Sequence, residues 1–248
     1  NKRITMKKIV LLVAFCLSIG NVFAQDAEKL RDEGDAALKA KNYPEVVAKY
    51  GEYLKLTEYK DTVRIFNCGF SANQAKMYEE AAKYFDMAVK YNYNLDDSYT
   101  GEAMAYRNLN KTEEFVSTVE AGLKALPGNA NLEKLLYSYC IKQGQAAQKK
   151  GDIAGAEALY KNVLIASNKK YQEGALYSLG AMLYNQGATA LQKATPLATS
   201  EPDKYKAEKA KADAQLKEAK EYLDKALALN PNNANVKKLV DAIAATLQ

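Results

Sequence analysis

The chain has 248 residues, 48% hydrophobic and 26% charged, a balance typical of a soluble globular protein with room for one or two domains. It contains no histidine, so the commonest general base and the commonest metal ligand are both missing. Serine–histidine and cysteine–histidine catalysis are excluded, as are the usual zinc sites.

In chain order, residues 1–24 read first as a leader. Met6 is the natural start, Lys7 and Lys8 form a basic n-region, and Ile9 to Ile19 is nearly all apolar. Val22-Phe23-Ala24 then places small residues three before and one before a cut at Gln25. This is the pattern of a secretory signal peptide, so an exported chain is expected, periplasmic or extracellular. The apolar run is too short to span a bilayer, and nothing later is long enough, so no transmembrane segment is expected in the mature chain. Cys16 lies inside the run behind bulky Phe15, where a lipidated cysteine needs a small neighbour, and reads as filler. Lys2, Arg3, Lys7 and Lys8 leave with the leader and no acidic residue does, so 35 basic against 30 acidic residues become 31 against 30. The mature chain keeps no basic surplus for nucleic acid or for a membrane surface.

The rest of the chain repeats. Tyr78-Glu79-Glu80-Ala81-Ala82-Lys83-Tyr84-Phe85 follows Tyr43-Pro44-Glu45-Val46-Val47-Ala48-Lys49-Tyr50 at an offset of 35, and Thr112-Glu113-Glu114-Phe115 comes 34 later. Gly34, Gly69 and Ala103 keep the same register. Apolar residues recur at three- and four-residue spacing, and no stretch alternates as a strand would. Each unit therefore reads as two amphipathic helices, with units near 27–60, 62–95, 96–129, 130–170 and 171–231 and a terminal segment at 233–248. All five prolines fall where a helix should not continue: Pro44, Pro127, Pro196, Pro202 and Pro231. A large residue (Tyr50, Phe85, Val119, Tyr160 or Leu223) recurs where a small residue lets two helices approach.

Two units are stretched. Val119 to Tyr160 is 41 residues, seven more than one repeat, which lengthens a helix by about two turns without rotating its apolar face. Gly144 and Gly180 are 36 apart, yet Tyr160 and Leu223 are 63 apart, so the fifth unit carries 27 extra residues between its helices. Helices near 171–193 and 204–229, joined by a loop over 195–203, are expected to form a hairpin projecting beyond the body. A last helix over 235–247 aligns Val236, Leu239, Val240, Ile243 and Leu247 on one stripe; it reads as a cap over the final repeat, with homodimerisation as the other use of that stripe.

Gly69…Tyr78…Ala81…Phe85…Ala88 and Leu179-Gly180…Ala219…Leu223…Ala226…Pro231 resemble the pattern of the tetratricopeptide repeat family, over nearly all of residues 27–231. The resemblance implies an all-α fold, a right-handed α–α superhelix of about five helix-turn-helix units with an elongated last hairpin and a capping helix. It departs from the pattern in having no tryptophan and in placing Val46 and Phe115 where alanine is usual. Cys68 and Cys140 fall on first helices of non-adjacent units, too far apart for a disulfide, and are expected as buried thiols.

No catalytic constellation emerges. The glycines are scattered singly, so no phosphate-binding loop forms, and the chain is read as non-enzymatic with no cofactor and no metal. Glu79-Glu80, Glu113-Glu114 and Asp96-Asp97 read as favourable negative charge in first helical turns. Charges between Lys204 and Lys220 read as a solvated face. The family resemblance implies a groove lined by the first helices that receives a peptide or helix of another protein. Carried over residue by residue, the groove set is Arg31, Asp35, Phe66, Asn67, Phe70, Asn73, Met104, Arg107, Tyr177 and Tyr184. The family's lysine–asparagine clamp for C-terminal carboxylates is not matched by Arg31, Asp35, Phe66 and Phe70. The expected role is thus a protein-binding scaffold of the cell envelope. The alternative is a carbohydrate-binding accessory protein, motivated by 18 tyrosines against 6 phenylalanines.

Overall fold

The computed structural model describes residues 25–247; the leader, with its start at Met6, its cut before Gln25 and Cys16, lies outside them. Every regular element among the described residues is helical. Helix α1 covers 25–39, α2 Tyr43–Leu56, α3 Thr62–Gln74, α4 Tyr78–Lys90, α5 Leu95–Asn108 and α6 Thr112–Ala125. Then come α7 Ala130–Lys149, α8 Ile153–Asn162 with a 3₁₀ turn at Val163–Ile165, and α9 Lys169–Ala194. The chain closes with α10 Leu197–Ser200, α11 Pro202–Leu229 and α12 Ala234–Thr246. None of these helices is long and apolar enough to cross a membrane.

The boundaries follow from local chemistry. Pro44 and Pro202 sit in first turns, where no N–H is needed. Asp61, Asn129, Asp152, Asn168 and Asn233 accept backbone N–H groups as N-caps. Glu79, Glu80, Asp96, Asp97, Glu113 and Glu114 occupy first turns, against the positive end of each helix. The turn between the helices of each of the first four pairs contains one left-handed residue: Lys41 (φ 58°), Lys76 (60°), Asn110 (57°) and Gly151 (81°). Their spacings of 35, 34 and 41 are those of the sequence repeat. The loop expected over 195–203 contains the single-turn helix α10.

The described residues divide into two compact units, one ending at Thr118 and the other beginning at Val119. In the first, rings of second helices lie on glycines of first helices. Tyr50 covers Gly34, and Phe85 lies between Gly69 and Gly101; a Cβ at Gly34 or Gly101 would overlap the ring. The core continues through Val46, Leu54, Ile65, Cys68 and Ala72. In the second unit Tyr160 covers Gly144 in the same way.

The α9–α11 hairpin of the second unit packs differently. Buried Ala212, Leu216, Ala219, Leu223 and Ala226 alternate spacings of four and three, the seam of a coiled coil. Leu223 lies on Gly180 and Leu216 on Gly187, so seven residues down α9 match seven back up α11. The approach is close enough that a Cβ at Gly187 would stand 3.2 Å from the Ala212 carbonyl oxygen. Val236 and Ile243 of α12 are fully buried against this pair, with Leu239, Val240 and Leu247 packed on the same cluster. The apolar stripe of α12 is therefore engaged within the chain. Cys68 and Cys140 are free and buried.

Candidate functional site

In the first unit the first helices α1, α3 and α5 are joined by polar contacts. Asp61 caps α3 through the Arg64 N–H, which fixes the start of the helix that carries Arg64. Arg64 Nη2 donates to Asp35 on α1 at 2.9 and 3.2 Å, and the Tyr50 hydroxyl donates to the same carboxylate at 2.5 Å. Tyr53 donates to Asp61 Oδ2 at 3.0 Å. Burial pushes the Asp35 carboxyl up, but the hydrogen bonds from Tyr50 and Arg64 outweigh it and hold the group below the usual carboxylate range. Further along, Asn73 Nδ2 donates to the Gly101 carbonyl at 3.0 Å and ties α3 to α5.

These contacts sort the residues expected to line the groove. The Asp35 carboxylate and the Asn73 Nδ2 are committed to holding helices together. Phe66 is half-buried in the packing layer, edge-on to Phe85 at 5.6 Å and tilted against Tyr93 at 5.7 Å. Arg31 donates to its neighbour Asp32. Asn67 is half-buried. Phe70, Met104 and Arg107 stand out to solvent: Phe70 is 40% exposed and Met104 43%. Phe70 meets only the edge of Tyr43 among other rings, at 6.1 Å, and Arg107 has no ion-pair partner among the described residues. Tyr177 and Tyr184 belong to the second unit, half-buried against the cluster that α12 closes.

Sequence reading missed Arg64, whose partner Asp35 lies 29 residues away, and Thr100. In the sequence Asp96 reads only as first-turn charge. Asp96 Oδ1 and Thr100 Oγ1, one turn apart on α5, are buried without a hydrogen-bond partner, as is Asn73 Oδ1. Nothing in the sequence pattern distinguishes such atoms from solvated ones.

Burial, and secondarily Asp86, pushes the Glu102 carboxyl up to about 7, against the pull of Thr118 and Lys90. Glu133 accepts the Ser167 N–H and joins α7 to the turn before α9. Burial pushes both thiols, Cys68 and Cys140, up to about 12. No group of three or more Cys, Asp and Glu side chains able to hold a metal occurs among the described residues. Several of the tyrosines that prompted a sugar-binding alternative are core residues: Tyr50, Tyr84, Tyr139 and Tyr160 are buried.

No model of a known protein family matches the chain. Among solved structures it is similar to a TPR repeats protein from Bacteroides fragilis NCTC 9343, at 48% identity and a TM-score of 0.80, over 89% of this chain and 98% of that one. It is also similar, far more distantly, to a tetratricopeptide repeat protein from Parabacteroides merdae ATCC 43184, at 14% identity and a TM-score of 0.41, over 89% of this chain and 99% of that one.

Proposed function

Because the chain belongs to the tetratricopeptide repeat family, whose paired helices it repeats, we propose that it is a non-catalytic scaffold that holds a segment of another protein against the first-helix layer of its N-terminal unit. The observation that carries this reading is the division of labour within that layer. Asp35–Arg64 and Asn73–Gly101 brace the helices, while Phe70, Met104 and Arg107 beside them stay exposed. An aromatic ring, a thioether and an unpaired guanidinium on rigid helices are the side chains that anchor protein interfaces. The leader pattern supports export to the periplasm or the medium. Thiols raised to about 12 are unreactive at neutral pH, which suits an oxidising compartment.

The test is affinity capture from envelope extract on immobilised Gln25–Gln248, beside a Phe70→Ala/Arg107→Ala variant of equal helicity. A protein retained by the first and lost from the second is expected; equal retention by both removes the site from this layer. Mass spectrometry of the native protein is expected to find Gln25 as its first residue, and a chain retaining Met6 would overturn the export assignment.

A further inference from the structure

The longer helices of the hairpin create a second feature, wholly inside the C-terminal unit. After the equivalent glycines Gly144 and Gly180, α7 continues for 5 residues to Lys149 and α9 for 14 to Ala194. The hairpin thus runs about 13 Å past the end of α7. The corner holds a cleft of about 620 Å³, a volume in the range of ligand sites.

One wall of the cleft is a single stripe of α9: Met182, Asn185, Gln186, Thr189 and Lys193 follow helical spacing. Gln215 and Glu208 face it from α11, seven residues apart, and Gln148 at the end of α7 and Ile153 at the start of α8 close it. Four side-chain amides therefore meet in one place. Tyr160 donates its hydroxyl to Gln148 Oε1 at 3.2 Å, which orients that amide and leaves its NH₂ without a partner. Asn185, Gln186 and Gln215 make no hydrogen bond to any described residue, so both the donor and the acceptor of each are unspent. The apolar lining is aliphatic: Ile153, Met182, Ala190, Ala194 and Leu197.

We propose that this cleft binds a short extended stretch of polypeptide through its main chain. An amide presents one donor side and one acceptor side, the complement of a peptide unit. The aliphatic floor suits small apolar side chains, and Met182 adapts to their shape. The cleft contains no aromatic ring, the platform on which a sugar would stack. Glu208 is already paired with Lys211 at 2.8 Å, so Lys193 at the far end of the stripe is the one lining charge without an ion-pair partner among the described residues. Met182 to Lys193 extends about 16 Å along α9, the length of about five extended residues. This site is separate from the exposed layer of the first unit and does not depend on it.

The experiment is NMR of the side-chain amides of full-length mature protein. The probes are a pool of N-acetylated, C-amidated pentapeptides randomised over Ala, Val, Leu, Ser and Thr, the same pool with N-methylated backbones, and a mixture of cello- and chito-oligosaccharides. The expected result is saturable shifts at Asn185, Gln186 and Gln215 with the first pool only. Affinity should weaken about tenfold in Asn185→Ala/Gln215→Ala, which removes two hydrogen-bonding amides. Both side chains lack structural partners, so the variant's melting temperature should match the parent's. No saturable shift with the first pool, equal binding of the N-methylated pool, full binding by the variant, or shifts with oligosaccharides alone would each overturn the proposal.

Discussion

Tyr50 and Phe85 in the first unit and Leu216 and Leu223 in the second occupy the same kind of place: a large side chain of one helix resting on a glycine of the helix before it. The rings are wide, so one suffices for each short pair, and Phe85 serves two glycines at once. The leucines are narrow and recur every seven residues along long helices. The short pairs add polar braces such as Asp35–Arg64 between first helices, whereas the hairpin relies on its continuous aliphatic seam. Stability that rests on one ring is concentrated, and stability along a seam is distributed.

That contrast is open to direct attack. Phe85→Ala deletes the ring between Gly69 and Gly101, two residues with no side chain to fill the hole, and should cost roughly 3–5 kcal/mol. Leu223→Ala removes one knob of several and should cost about 2–3 kcal/mol. Urea unfolding gives the two values, and amide exchange should place each loss of protection mainly in the mutated unit. If Leu223→Ala proves the costlier, or if both units lose protection alike, the contrast fails.

The next effect depends on pH. Glu102 has a folded pKa of about 7 against an ordinary 4.5, so the folded state binds the extra proton between those values. The favourable contribution is whole below about pH 4.5 and is lost as pH rises through about 7, a change on the order of 3 kcal/mol. Glu102→Gln should flatten this slope and be more stable than the parent at neutral pH. A parent whose urea midpoint does not fall between pH 5 and pH 7.5 would contradict it.

The smallest effect concerns a turn. Lys76 holds a left-handed conformation that Gly151 adopts freely in the equivalent turn. Lys76→Gly should relieve about 1 kcal/mol of strain while giving the unfolded chain more freedom, for a net gain below about 1 kcal/mol. A drop in the urea midpoint would mean that the lysine side chain contributes more than its backbone costs.

The helical repeat was legible because its signals are local: offsets of 34 and 35, prolines at helix ends, and glycines in register with large residues. The recurrence of Tyr50, Phe85, Tyr160 and Leu223 at one place in the repeat is readable from spacing, whereas the glycine that each covers is given by the structure. The candidate sites were less legible, because they depend on which face of a helix its neighbours cover. Phe66 and Phe70 share a helical stripe in the sequence, yet Phe66 packs on Phe85 and Phe70 reaches solvent. Asp35 and Asn73 read as free polar groups until Arg64 and the Gly101 carbonyl were placed beside them. The cleft of the second unit was hidden for another reason: it arises from a difference in length between α7 and α9, and no single residue announces it.

The matched steps of seven along the α9–α11 seam make the hairpin an adjustable ruler. Adding one heptad to each arm would move its tip outward by about 10 Å and leave every existing leucine on its glycine. Adding a heptad to one arm alone would slide each knob past its seat. Reach can thus change in quantised steps without disturbing the repeats beneath.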